Sequence, residues 1–214
     1  MKTTTLYKLT RKDRSTHNGF IWPVGEWQTF PGTGGPCSPG WSHWYLSPQL
    51  ALLLNPIHAD FPEHDLLLWR GEGHIGLRDY GLKVMCAKAR IIEAMTFPQP
   101  STEQRVKFAL ACALAVYAEP TFVRWANQWL AGIDRTARAA WAAKAAGAAE
   151  AADPQAWAAQ AAWAAAAARG ATRAAAWGAW AAWAARAAAR AAWAAAEAAD
   201  LQPLAHQALL PWEP

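Results

Sequence analysis

The chain has 214 residues, a formal net charge of +4, 54% hydrophobic residues and fifteen tryptophans, which suits one domain with an extension or two small domains. The mild positive charge falls short of the dense basic stripe of a typical nucleic-acid binder. Three widely spaced cysteines, Cys37, Cys86 and Cys112, argue against a disulfide framework and for a reducing compartment.

Residues 1–97 read as short strands and turns. Leu6, Tyr7, Lys8 and Leu9 form the first expected strand. Residues 20–22 and 26–30 flank Pro23 and Gly25, a turn signal. Residues 31–40, rich in Pro and Gly, read as a loop, and residues 41–46 resume an extended pattern. Ser47 and Pro48 then open a short helix through residues 50–54, with Ser47 as cap and Pro48 at the first helical position. Residues 66–70, 73–77 and 82–92 are three further expected strands.

Pro98, Gln99 and Pro100 mark a boundary. Either Ser101 with Gln104, or a cap shifted by one residue, gives a capping-box style of helix start. Val106, Ala109, Leu110, Ala113, Leu114 and Tyr117 follow on one helical face. Glu119 and Pro120 break that helix, and a second begins near Thr121 with Phe122, Trp125, Trp129 and Leu130 as its apolar side.

Composition then changes abruptly. Of the 64 residues from 137 to 200, forty are alanine and none is Val, Ile, Leu or Phe. Alanine is the best helix former, so three helical pieces are expected, near 121–152, 154–169 and 171–200, broken at Asp153-Pro154 and near Gly170. Tryptophan and charged residues recur as low-complexity triplets. The last piece carries a heptad stripe of small residues, a candidate seam for close helix packing. The expected fold class is α+β: a small mixed, mainly-β N-terminal domain over 1–97, then an Ala/Trp-rich α-helical bundle or hairpin over 98–214, with the repeats in 137–200.

Candidate chemistry concentrates before residue 98. Trp41, Ser42, His43, Trp44, Tyr45, Leu46 and Ser47 combine aromatics with Ser and His at the end of a strand, a pattern able to line a pocket for a flat ligand. It equally describes a core strand running into a capped helix. His58, Asp60, Glu63, His64 and Asp65 crowd one loop, but no metal-ligand spacing matches them; a solvated loop is the simpler reading, and no metal or cofactor is expected. Glu72 and Glu93 are carboxylates available for acid–base work, yet no nucleophile pairs with either, so no catalytic residue is assigned. The Trp/Arg face of the tail could stack bases, but helix packing explains it better and nucleic acid is not the favoured partner. The first residues carry no apolar signal segment, and no apolar run is free enough of charge to span a membrane.

Two resemblances follow from these residues. Leu6-Tyr7-Lys8, Gly19-Phe20 with Val24-Gly25, Cys37 leading to Gly40-Trp41-Ser42-His43 and Ser47-Pro48, Lys83-Val84, residues 102–108, residues 125–136 and the Ala-rich tail together resemble a bacteriophage- and prophage-encoded family of unknown function. Over 1–93, Leu6-Tyr7-Lys8 and the His43 to Pro48 strand-to-helix passage also resemble the ADP-ribosyltransferase-like fold. That second resemblance implies that Lys8 or Arg11 and Ser47 hold a dinucleotide; the catalytic Glu motif of that fold is not recognisable.

The expected function is therefore a phage-encoded, non-enzymatic binding protein in the cytoplasm of a bacterial host. It would sequester a nucleotide-like host signal, NAD-derived or cyclic, in anti-defence, through Tyr7, Lys8, Arg11, Trp41, His43, Tyr45 and Ser47. The alternatives are an ADP-ribosyltransferase-like enzyme and a structural protein that self-associates through residues 137–200. No membrane partner is expected.

Overall fold

The computed structural model describes residues 3–133, 195, 196 and 199–210. Apart from Ala195, Ala196, Ala199 and Asp200, the Ala/Trp-rich stretch expected over 137–200, its two helix breaks and the small-residue seam lie outside the described residues. These divide into two compact units, one ending at Gln99 and the other beginning at Pro100. The N-terminal part is a mainly antiparallel β-structure and the remainder is helical, so the chain is α+β.

The N-terminal unit contains β1 (Thr4–Arg11), β2 (Gln28–Thr29), β3 (Ser42–Trp44), α1 (Pro48–His58), β4 (Leu66–Asp79) and β5 (Lys83–Met95). Neighbouring strands run in the order β1-β4-β5-β2, and β3 also pairs with β5. All these pairings are antiparallel. Tyr7 and Tyr45 exchange two backbone hydrogen bonds of 2.9 Å, so β1, β4, β5 and β3 close into a ring. Its core gathers Leu6, Trp22, Trp44, Trp69, Val84, Cys86, Ala89 and Ile91. Four strands enclose little volume, and large indoles fill it where aliphatic side chains would be needed in number.

Two expectations are corrected here. Residues 66–70 and 73–77 belong to one fourteen-residue strand, β4, and not to two. Gly71 and Gly73 serve close packing within it: a Cβ on Gly71 would lie 2.7 Å from the Trp44 ring, and one on Gly73 would lie 2.9 Å from Ala89 Cβ. Register shifts after Arg70 and His74 bend the strand instead of ending it. Residues 20–22, expected as extended, follow a 3-10 turn (His17–Gly19) and contribute only a bridge from Ile21 to Ser15. Strand β1 runs longer than the expected residues 6–9, over Thr4–Arg11, whereas β2 and β3 are only two and three residues long.

Local signals place α1. The Ser47 hydroxyl accepts the Leu50 N–H at 3.1 Å, and Pro48 occupies the first turn. The helix outruns its expected end by four residues. It stops where Asp60 adopts a left-handed φ of 50°, and Asn55 fastens the exit by exchanging hydrogen bonds with both the N–H and the carbonyl of Phe61. Leu50, Leu52, Leu53 and Leu54 are fully buried.

In the second unit, α2 (Thr102–Leu114) begins with the capping box expected at Ser101 and Gln104. It packs against α3 (Pro120–Leu130) and α4 (Leu201–Ala208). Glu119 caps α3 through the N–H groups of Thr121 and Phe122. The helix expected to run from near 121 to 152 ends at Leu130, because Gly132 takes the left-handed conformation (φ 77°) that closes a helix. No described helix is long and apolar enough to cross a membrane.

Candidate functional site

Strand β3 is a divider. Ser42 and Trp44 point into the ring, where Trp44 Nε1 donates to Ser42 Oγ (2.9 Å) and Ser42 Oγ donates to the Cys86 carbonyl (2.8 Å). His43 and Tyr45 alternate to the opposite face, as the two-residue period of a strand requires. Each face holds one unusual charged group.

Inside the ring lies Lys8, opposite Trp69 in the β1–β4 register. Its Nζ donates to the His43 carbonyl at 2.9 Å and sits 4.6 Å and 5.0 Å from the ring centroids of Trp22 and Trp44. Loss of hydration pushes the ammonium down from 10.5 to about 7, with the nearby Cys86 acting in the opposite sense. The indole faces also favour the charged form, each by about 2 kcal/mol when desolvated. Even so, dehydrating a cation costs several kcal/mol, so the downward direction stands. The same burial pushes the Cys86 thiol up to about 12.

Outside the ring, β3, the C-terminal turn of α1 and the start of β5 assemble His43, Tyr45, His58 and Lys83. The Tyr45 hydroxyl lies 3.1 Å from His58 Nδ1, and the two rings stack at 5.8 Å. Burial pushes the Tyr45 phenol up, so the hydroxyl keeps its proton and is able to donate to Nδ1 of the neutral His58 Nε2–H tautomer. Burial, then the charge of Lys83, brings His58 down to about 3. His43 falls to about 4 by burial, then by Lys83 and Lys8. Its Nε2 is buried and has no hydrogen-bond partner. Lys83 Nζ donates to Cys37 Sγ at 2.9 Å and stands 3.8 Å from Asp79 Oδ2.

The seven residues expected to bind ligand therefore separate. His43 and Tyr45 share this cluster, and Lys8 reaches it only through the His43 backbone. Tyr7 bridges Tyr45 by its main chain. Arg11 lies 4.7 Å over the Phe61 ring and 3.9 Å from Asp65. Trp41 donates from Nε1 to the Gly34 carbonyl at 3.1 Å and covers Gly32 and Gly76. Ser47 is engaged in capping α1. Sequence reasoning missed Lys83 and placed His58 in a solvated loop; the signal for His58 was its position one helical turn beyond the leucine run.

The other candidates have structural partners. Arg70 Nε donates to Glu93 at 2.7 Å, and Arg90 Nε donates to Glu72 at 2.7 Å. The Arg70 guanidinium holds the Glu93 carboxyl below its usual range, opposite to what a proton donor at neutral pH needs. His74 stacks on Trp27 at 5.8 Å, with Lys88 and Arg90 also against that indole. Among the described residues no three His, Cys, Asp or Glu side chains converge as metal ligands. No protein-family model, curated protein or solved structure matches this chain.

Proposed function

We propose that the N-terminal unit is a non-enzymatic binding module for an anionic, nucleotide-like ligand, and that His43 and Lys83 receive its phosphate oxygens. The observation that carries this reading is the His43 imidazole: its Nε2 is enclosed and unpaired beside a lysine whose charge acts on it. A buried polar atom without a partner costs about 1–3 kcal/mol. An acceptor oxygen arriving at a protonated Nε2 recovers that cost, and the Lys83 ammonium adds a charge-assisted contact. Binding then raises the His43 pKa, because the anion favours its cationic form. Because Nε2 is enclosed, an incoming oxygen has to displace a neighbour, so association should run below the usual encounter-limited range.

Asp79 is held by Lys83 at 3.8 Å, so its carboxylate is engaged as an ion-pair partner, which favours retention of an intact ligand over transfer chemistry. In the setting implied by the resemblance to phage-encoded proteins, such a module would sequester a host nucleotide signal. Incubating the protein with NAD, ADP-ribose and cyclic nucleotides, followed by mass spectrometry of the retained and free fractions, tests the reading. Intact ligand retained by the wild type, and at least tenfold less by His43→Leu, supports it. Release of nicotinamide indicates an ADP-ribosyltransferase-like enzyme instead, and no retention of any probe contradicts a nucleotide ligand.

A further inference from the structure

Cys37 and Lys83 are 46 residues apart in sequence, yet the Lys83 amine touches the Cys37 sulfur at 2.9 Å. The three thiols of the chain are not equivalent. Cys37 is exposed, whereas Cys86 and Cys112 are buried and burial pushes both of those thiols up. Lys83 is the opposite of a free surface lysine: its side chain is only 10% exposed and is steadied by Asp79 four residues earlier. An accessible sulfur thus faces a nitrogen nucleophile that is held in place, a pairing the ligand-binding reading does not call on.

We propose that Cys37 and Lys83 form a covalent crosslink, a sulfenamide, when the protein meets hydrogen peroxide. In the first step the Cys37 sulfur attacks one peroxide oxygen. The O–O bond breaks, an S–O bond forms, the sulfur loses two electrons to the peroxide, and water leaves; Cys37 becomes a sulfenic acid. In the second step the Lys83 ammonium first loses one proton to solvent, and the neutral nitrogen then attacks that sulfur. The S–N bond forms as the S–O bond breaks, and the hydroxyl leaves as water with a second proton from the attacking nitrogen. Sulfenic acids condense with nearby nitrogen in this manner, and contact distance makes the second step intramolecular and fast relative to further oxidation. The crosslink pins the loop carrying Cys37 to the start of β5. It also removes the ammonium that acts on His43 and His58. Formation of the bond does not depend on the ligand-binding reading.

The test is peptide mass spectrometry of the full chain after peroxide treatment without reductant. The expected product is a linked pair of Cys37- and Lys83-containing peptides, about 2 Da lighter than the sum of the two, with no tryptic cleavage after Lys83 and full reversal by a thiol reductant. Cys37→Ser and Lys83→Arg should both lack it, while Cys86 and Cys112 remain open to alkylation after denaturation. Recovery of Cys37 as sulfinic or sulfonic acid, or as an intermolecular disulfide, with Lys83 unmodified in the wild type, overturns the proposal. The wild-type result decides even if a variant fails to fold.

Discussion

The two faces of β3 surround a buried ionisable group in opposite ways. Inside the ring, Lys8 has a carbonyl and two indoles around its ammonium. Outside, one residue away, His43 has an enclosed nitrogen with no partner. A charged group whose surroundings are complete belongs to the architecture. Trp22 Nε1 and His74 Nδ1 are enclosed and unpaired as well; what sets His43 apart is the Lys83 charge acting on it. This contrast separates Lys8 from His43, although both looked like ligand residues in the sequence.

The largest expected effect bears on the interior. Gly71→Ala drives a methyl group against the Trp44 ring and the Arg90 carbonyl, and should destabilise the N-terminal unit by about 1–3 kcal/mol in urea unfolding. A neutral result would mean that the ring is looser than the contacts around Lys8 require.

The next effect is pH dependence. Lys8 titrates near 7 when folded and at 10.5 when unfolded. Between these values the unfolded chain holds one more proton, so stability rises with pH, by about 1.4 kcal/mol per unit at most. From pH 7 to about 8 the gain from Lys8 should be about 1 kcal/mol; above that the unfolded Cys86 and Cys112 thiols, which ionise near about 8.5 and are pushed up in the fold, work against it. Lys8→Met should flatten this slope. An unchanged slope would show that Lys8 stays charged in its cage. On the acid side, His43 and His58 have folded values of about 4 and 3. The unfolded chain therefore takes up more protons as pH falls below 6.5, and stability should decline from there towards pH 4.

The smallest effect separates capping from binding. Ser47→Ala should cost about 1 kcal/mol of stability and leave ligand retention unchanged, since its hydroxyl is committed to the Leu50 N–H. A loss of retention larger than the loss of stability would return Ser47 to the binding site.

What the sequence revealed was local. Ser47 with Pro48, and Ser101 with Gln104, announce helix starts because a cap acts within three residues. The alternation of Ser42, His43, Trp44 and Tyr45 announces two faces, without saying which is interior. The partners came from elsewhere along the chain: Trp22 and Trp44 for Lys8, His58 for Tyr45, and Lys83 for His43. The two expected strands part at Gly71, where glycine instead serves close packing under the Trp44 ring. Ending α3 at Leu130 was legible in Gly132, but the alanine-rich composition beyond it outweighed that one residue.

The central claim is that His43 is neutral and unpartnered until an anion reaches it. Its imidazole resonances, followed by NMR against pH without and with a retained nucleotide, test this directly. The account predicts titration near 4 without ligand and a clear upward shift with it. Titration near the ordinary value of 6.5 without ligand, or no shift when ligand is bound, would contradict it.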